Sequence, residues 1–340
     1  MKRISMVLVV MVWLVLTTAP AFTAGAREPA VEPVHTLQLN HIFPTDHPTH
    51  RAVQEMADYV REQSAGRLVI EVHASGALGG GGAQAENISM GTIDAGTAGP
   101  GMISTMEPAF GLLAGEYVFR SVESMYAVLD GPVGERINQR LLENNGVRVL
   151  SVAYVGKRHL TANRPVRTPE DMRGLRVRIP DIPTRAAAFR AWGASPTPLA
   201  FAELYLALSQ GAVDAQENPF AQIVTMKFYE VQDYLILTGH AMNAELLLIN
   251  ERAYQALPDE LKDVLREGAE VYRDKQWQLY EEQRDEYLEY LAGKMTIIEP
   301  DVGAFAEAAR VVPYEFEDRW GRGLYDEILK AQEEYRADWE

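Results

Sequence analysis

Short stretches of alternating apolar and polar residues recur along the chain, and segments with helical spacing lie between them. Leu37 and Leu39 alternate with polar neighbours and predict a first strand, and residues 68–72 predict a second one. Between these strands, residues 52–60 place apolar side chains on one helical face. A helix over 84–90 and a strand over 92–95 follow. This strand–helix–strand–helix–strand order predicts an α/β sheet.

The same construction returns later in the chain. Residues 175–179 predict a strand, and helices are expected near 183–192 and 202–209. Residues 90–95 and 210–215 also resemble each other, because each has a helix end, a capping glycine and the pattern G-x-[IV]-D-A. We therefore expect two lobes of similar construction, with a ligand cleft between them outside the carboxyl ends of the strands.

The last third of the chain predicts apolar segments at 231–237 and 245–249 and then a long helix. Residues 258–293 have no interior proline, and apolar residues recur among many charges. Gly268 is a weak breaker, where the helix is expected to kink. A helix of this length is expected to lie across both lobes.

Net charge and cysteine content exclude several classes of function. The 340 residues carry a formal net charge of −16, which argues against a nucleic-acid partner. An anionic ligand remains compatible with this charge, since a local pair of arginines outweighs a distant field that salt screens. The sequence has no cysteine, so thiol catalysis, disulfides and cysteine-ligated metals are excluded.

The N-terminus has the pattern of an export signal. Lys2 and Arg3 precede an apolar run over 6–16, which is too short for a bilayer that needs about 20 residues. Small residues follow, with cleavage expected after Ala21 or Ala26. We predict a signal peptide over 1–26 and favour it over a membrane anchor. The mature protein is then exported.

Two polar positions stand where predicted strands end. Arg178 lies in the strand that Pro180 stops, and the cluster 216–218, ending in Asn218, is stopped by Pro219. Together with Arg158, they offer planar, bidentate hydrogen bonding to a carboxylate. The alternatives are a solvated arginine and an asparagine in a turn. This pattern indicates capture of a small organic acid rather than its chemical conversion.

Other motifs give weaker hypotheses. His41, Asp46, His47 and His50 lie close in sequence and suggest, as a rival function, an exported metal-binding protein. The glycine run 79–82 lacks the G-K-[ST] ending of a phosphate-binding loop. Neither a G-x-S-x-G motif nor a nucleotide fingerprint occurs, so we predict no enzyme activity and no cofactor.

Several stretches, in this order and spacing, resemble the solute-binding subunits of tripartite ATP-independent periplasmic (TRAP) transporters, the DctP family. They are LRVRIP at 175–180, GASPTP at 193–198, ELYLAL at 203–208, GAVDAQENP at 211–219 and KFYEVQ at 227–232.

The resemblance implies an α/β, two-lobe periplasmic binding protein, type II-like, that closes on its ligand as a Venus flytrap. We predict lobe I over 32–155 plus about 244–283, and lobe II over 156–243 plus about 284–340. It also implies a periplasmic, monomeric protein that delivers a small organic acid to the TRAP membrane permease subunits.

The resemblance also implies roles for particular residues. Arg178 is expected to hold the ligand carboxylate, with support from Asn218 and Arg158, while Glu217 is expected behind the site. Further candidate ligand-binding residues are Tyr154, His41 and Glu116. The chain departs from the family's usual pattern at 80–85 and 116–119, both in lobe I. A sugar acid is the favoured ligand; a dicarboxylate, a 2-oxo acid and an amino-acid-like zwitterion that meets Glu116 remain alternatives.

Overall fold

Two long strands, β4 (Val147–Ala162) and β8 (Tyr234–Asn250), run through the centre of the computed structural model, which describes residues 33–337. They pair in antiparallel fashion from Val147 opposite Asn250 to Ala162 opposite Tyr234. Most of their side chains are buried, because helices cover both faces of the sheet. The predicted signal peptide, 1–26, lies outside the described residues.

The other described strands flank this central pair: β1 (His35–Asn40), β2 (Leu68–His73), β3 (Ala95–Ala98), β5 (Arg176–Ile179), β6 (Ser195–Pro198), β7 (Ala215–Asn218) and β9 (Thr296–Ile298). Their order across the sheet is β2–β1–β3–β8–β4–β7–β5–β6, with β9 paired to β8.

The helices are α1 (Pro48–Gln63), α2 (Gly81–Met90), α3 (Ala109–Leu113), α4 (Val122–Leu129), α5 (Pro132–Asn145), α6 (Pro183–Ala191), α7 (Leu204–Ser209), α8 (Phe220–Thr225), α9 (Glu251–Gln255), α10 (Asp259–Ala292), α11 (Val302–Ala309), α12 (Val312–Glu315), α13 (Glu317–Trp320) and α14 (Leu324–Ala331). Short 3-10 helices span Pro100–Ile103, Pro169–Met172, Phe201–Glu203 and Phe228–Glu230. Within the described part of the chain, every helix is too short or too polar to cross a bilayer.

The two halves of the sheet repeat one construction. On one side β2, β1 and β3 are parallel and β3 meets β8 antiparallel; on the other, β6, β5 and β7 are parallel and β7 meets β4 antiparallel. The two G-x-[IV]-D-A motifs occupy matching positions. The Asp94 carboxylate accepts from the Gln38 N–H at 2.8 Å, and the Asp214 carboxylate accepts from the Arg176 N–H at 2.9 Å. The internal resemblance in the sequence therefore marks equivalent places in the two halves.

Two sequence-based boundaries were wrong. The strand expected at 92–95 begins only at Ala95, because the N–H groups of Thr92 and Ile93 still bond to the Asn87 carbonyl at the end of α2. Of the separate segments expected at 231–237 and 245–249, residues 234–237 and 245–249 belong to the single strand β8, whereas 231–233 precede it. Residues 241–244 pair with β4, whereas 237–240 form an irregularity without β4 pairing partners, in which the His240 carbonyl accepts from the Tyr117 N–H at 2.7 Å.

The long helix expected over 258–293 is α10, and it continues through Gly268. It packs on α1 in the first half and on α8 in the second. Leu265 and Tyr272 join the first-half core, whereas Leu291 joins the core of the second half. A Cβ at position 268 would lie 2.5 Å from Val60 Cγ2, so this glycine permits close helix packing.

The predicted lobe boundaries fall at an irregularity of the central strands. The register of β4 and β8 shifts between Tyr154 and Gly156, where Gly156 has a φ of +112°. Its partner across the sheet is Asn243. A bulge of this kind bends a strand locally, so the division at 155/156 and 243/244 coincides with a place suited to hinge motion. The lobe division itself stays a prediction.

Candidate functional site

A cavity of about 550 Å³ opens where parallel strands of both halves end. Phe43 follows β1, Gly99 follows β3 and Pro180 follows β5, and all three line this cavity. Asn218, the last residue of β7, lines it from the other half. The cavity thus lies at the carboxyl ends of the strands, where open α/β sheets bind their ligands.

Arg178 lines this cavity as a buried, unpaired cation. Its side chain is 3% exposed, and its Nε and Nη2 donate to the Leu199 carbonyl at 3.0 and 2.6 Å. The guanidinium carbon stands 5.9 Å from the ring centre of Phe201. No carboxylate oxygen of a described residue lies within 4.0 Å of the Arg178 guanidinium nitrogens. Burial lowers the pKa of Arg178 to about 10, although Glu217 acts in the opposite direction.

Arg158 also lines the cavity, but protein groups already occupy its donors. It forms an ion pair through Nε with Glu217, and its Nη2 donates to the Glu217 backbone carbonyl at 2.8 Å. Nη2 also donates to Asn218 Oδ1 and Nη1 to Asn243 Oδ1, both at 3.0 Å. Asn218 in turn donates to Gln216 Oε1 at 2.6 Å. Arg158 and Asn218 are therefore held in fixed positions beside Arg178.

Glu217 is fully buried behind the cavity, where it joins several elements. Besides Arg158, it contacts Arg185 Nη1 at 3.5 Å and His240 Nε2 at 3.1 Å. Burial alone would raise the pKa of Glu217, but the Arg158 and Arg185 guanidiniums outweigh it and hold the pKa well below its ordinary value.

Arg185, on α6, connects this network to the first half of the chain. Its Nε donates to Glu116 at 2.7 Å, and its Nη2 donates to the Ala114 carbonyl at 2.9 Å. The two buried arginines Arg158 and Arg185 are thus matched by the two buried carboxylates Glu217 and Glu116. Arg178 remains as the uncompensated positive charge at the cavity wall.

Three of the candidate ligand-binding residues lie outside the wall of this cavity. Glu116 is buried in its ion pair with Arg185 and does not line the cavity. His41 is fully buried, and its Nε2 lies 3.0 Å from His50 Nδ1. Tyr154 is fully buried and packs edge-on against Tyr280 at 4.8 Å. It lines a second cavity, of about 390 Å³, on the α10 side.

The histidines of the metal hypothesis are engaged in local hydrogen bonds. His47 caps α1, with Nδ1 accepting from the Thr49 N–H at 3.1 Å, and His41 Nδ1 accepts from the Phe43 N–H at 3.2 Å. Burial lowers the pKa of His41 to about 4 and that of His47 to about 3. Among residues 33–337, no group of three or more His, Asp or Glu side chains is arranged to hold a metal ion.

The sequence analysis did not single out several residues of the cavity wall. Arg185 and Phe201 are hidden in helical segments, and Thr97 follows a strand boundary that was placed too early. Glu245 had a visible signal, because it is the acidic residue at the start of the otherwise apolar run 244–249. It lines the cavity, is 4% exposed, and its Oε2 is buried without a partner.

The family model of bacterial extracellular solute-binding proteins, family 7 (DctP), matches residues 39–318. The chain belongs to this family. It is thereby a solute-binding protein of the TRAP transporter type, and the expected α/β fold class with a long helix is confirmed. Members of the family are substrate-binding components of transporters and are periplasmic.

Individual relatives cover most of this DctP-family chain. The sialic acid-binding periplasmic protein SiaP of Vibrio cholerae is 30% identical over 82% of this chain and 87% of its own. The 2,3-diketo-L-gulonate-binding periplasmic protein YiaO of Escherichia coli is 33% identical over 76% of this chain and 80% of its own. The crystal structure of a TRAP periplasmic solute-binding protein from Roseobacter denitrificans with bound L-galactonate is 30% identical, with a TM-score of 0.82 over 88% of this chain and 99% of that one.

Proposed function

We propose that this protein binds a hydroxylated monocarboxylate, with a sugar acid favoured, and delivers it to the TRAP permease subunits. The observation that carries the proposal is Arg178, a buried guanidinium at the cavity wall for which the described residues supply no carboxylate. An anionic ligand group would supply the missing charge. Planar bidentate hydrogen bonding makes a carboxylate the best match.

The neighbouring residues support Arg178 in different ways. Arg158 lines the cavity and adds positive potential, although most of its donors bind Glu217, Asn218 and Asn243. Asn218 orients Arg158 and borders the cavity, so a ligand oxygen is expected near both. Glu217 holds Arg158 and Arg185 in place through ion pairs on the side away from the cavity. The carboxylate-binding role thus rests first on Arg178 and secondarily on Arg158 and Asn218.

The relatives favour a sugar acid over the alternatives. The names of the Vibrio, Escherichia and Roseobacter proteins specify sialic acid, 2,3-diketo-L-gulonate and L-galactonate, each an acid with several oxygen-bearing carbons. A cavity of about 550 Å³ accommodates a ligand of this size. Export to the periplasm, a monomeric state and the absence of enzyme activity belong to the same proposal.

Calorimetric titration of the mature protein with L-galactonate, L-gulonate, D-erythronate, succinate, pyruvate and glutamate tests the proposal. We expect a sugar acid to bind most tightly. Arg178→Lys keeps the charge but loses the planar pair of donors, so its affinity for that acid should fall about ten- to a hundred-fold. Arg178→Ala should abolish detectable binding.

The matched control is Arg176→Ala, since Arg176 lies in the same strand but pairs with Asp214 away from the cavity. Its affinity should remain that of the unmodified protein. Urea unfolding separates binding from folding, because removing an unpaired buried arginine should leave the unliganded protein at least as stable. Undiminished binding of the acid by Arg178→Ala would contradict the proposed role of Arg178.

A further inference from the structure

Glu245 is a buried acid of the cavity wall that the carboxylate-binding arrangement does not use. It lies in β8 opposite Ala153 of β4. Its side chain is 4% exposed, and neither carboxyl oxygen accepts a hydrogen bond from a described residue. A buried polar group of this kind is costly unless a partner reaches it. Glu245 lines the cavity, so a ligand bound there can supply that partner.

A second polar group shares this face of the sheet. Thr97 of β3 lies opposite Leu247, two residues from Glu245 along β8, so side-chain alternation places Thr97 and Glu245 on one face. Thr97 Oγ1 is buried without a partner, and Thr97 also lines the cavity. The first-half wall therefore presents two unpartnered oxygen groups, whereas the second-half wall presents Arg178.

The charged and titratable groups around Glu245 are few. Arg158, Arg178, Arg185 and Asp181 border the same cavity, and Tyr272 of α10 lies close enough for its pKa to respond to Glu245. Arg158 is bound to Glu217 and therefore does not pair with Glu245. Burial raises the pKa of Glu245 to about 8, and Arg158 opposes this shift only in part. At neutral pH the carboxyl group is thus mostly protonated and can both donate and accept.

We propose that Glu245 is a specificity-determining residue whose neutral carboxyl group hydrogen-bonds a ligand hydroxyl at the end away from Arg178. The inference rests on the proposed function, since it presupposes an acid held at Arg178. A ligand without that hydroxyl leaves Glu245 and Thr97 unpartnered, which is the basis on which polar sites reject apolar analogues. Ionised Glu245 would add negative charge to a cavity that binds an anion.

Titration of the whole mature protein from pH 6 to 9.5 with L-galactonate, L-gulonate and D-erythronate tests this inference, with hexanoate as the probe that lacks hydroxyl groups. In the unmodified protein, affinity for the sugar acid should be level to about pH 8 and then fall up to ten-fold per pH unit. At pH 7, the affinity of Glu245→Gln for the sugar acid should lie within about ten-fold of that of the unmodified protein. Above pH 8, the affinity of this variant should not fall. Glu245→Leu should lose at least ten-fold of the preference for the sugar acid over hexanoate.

Glu299→Gln, an exposed acid outside the cavity, is the control and should retain both the affinity and the pH profile. An unchanged decline in Glu245→Gln, or an undiminished preference in Glu245→Leu, would overturn the role of Glu245 while leaving the proposed function intact. Affinity for the sugar acid that rises above pH 8 would also overturn it, because the ionised form of Glu245 would then be the one that favours binding. If none of the three sugar acids binds at pH 7, the proposed function fails, and the inference fails with it.

Discussion

At the scale of single residues, the site contains three buried arginines in different situations. Arg158 and Arg185 have carboxylate partners, whereas Arg178 has the Leu199 carbonyl and the face of Phe201. Water cannot compensate a cation that is 3% exposed. The protein therefore maintains one guanidinium in an unfavourable state that an acid bound there, as proposed, would relieve, which would couple ligand binding to stability.

Glu245 makes a second prediction at this scale, for stability against pH. Its pKa is raised by burial from 4.5 to about 8, so the folded protein binds more protons than the unfolded chain between these values. Stability should therefore fall as pH rises from about 4.5 to 8. Glu245→Gln has no carboxyl group to titrate at this position. Its free energy of unfolding relative to that of the unmodified protein should therefore increase by up to about 1.4 kcal/mol per pH unit over this range.

Urea unfolding at pH 5, 6.5 and 8 measures this difference. An advantage of Glu245→Gln that stays constant over this range would show that Glu245 titrates at its ordinary pKa. Glu299→Gln serves again as the exposed comparison and should show no trend relative to the unmodified protein.

At the scale of elements, the buried ion-pair network ties four of them together. Arg158 comes from β4, Glu217 from β7, Arg185 from α6 and His240 from β8. Glu217→Gln removes the buried negative charge that Arg158 and Arg185 share. Breaking such a network should cost about 3–5 kcal/mol in the free energy of unfolding, measured with urea. A loss below about 1 kcal/mol would show that solvent reaches these arginines.

The packing of α10 on α1 gives another prediction at this scale. Gly268→Ala raises helix propensity by about 1 kcal/mol, but the new methyl group would meet Val60 Cγ2 at 2.5 Å. Overpacking of this kind typically costs about 1–3 kcal/mol, so we expect a net loss of stability. Val60→Ala should recover part of that loss in the double variant, and strictly additive effects would argue against direct contact.

At the scale of the whole molecule, the two halves repeat one construction around the central strands β4 and β8. The bulge at Tyr154–Gly156 lies between the predicted lobes, and α10 packs on helices of both halves. An acid bound at Arg178 and reached by Glu245 from the other half would favour a closed arrangement over an open one.

Small-angle X-ray scattering provides the corresponding measurement. A saturating sugar acid should decrease the radius of gyration of the unmodified protein, whereas Arg178→Ala should remain unchanged under the same conditions. A radius of gyration that does not respond to a ligand shown to bind by calorimetry would exclude the proposed lobe closure.

Much of the architecture could be predicted from local sequence patterns. Apolar periodicity indicated β1, α1, β2 and the long helix α10, because these elements bury one face or stripe regardless of what covers it. The repeated motif at Gly91 and Gly211 indicated two similar halves, since a left-handed glycine followed by a bonding aspartate ends a helix and starts a strand in both. Motif order over 175–232 placed the chain in its family.

The tertiary structure alone decided which polar residues share the cavity. Arg158 and Glu217 are 59 residues apart in the sequence, and nothing local shows that they pair while Arg178 does not. For the same reason Glu116 and Tyr154 were expected at the cavity wall, although Arg185 and Tyr280, from distant segments, contact them away from it. The order of elements thus follows from local patterns of burial, whereas the assignment of partners to buried charges follows from the way the halves pack.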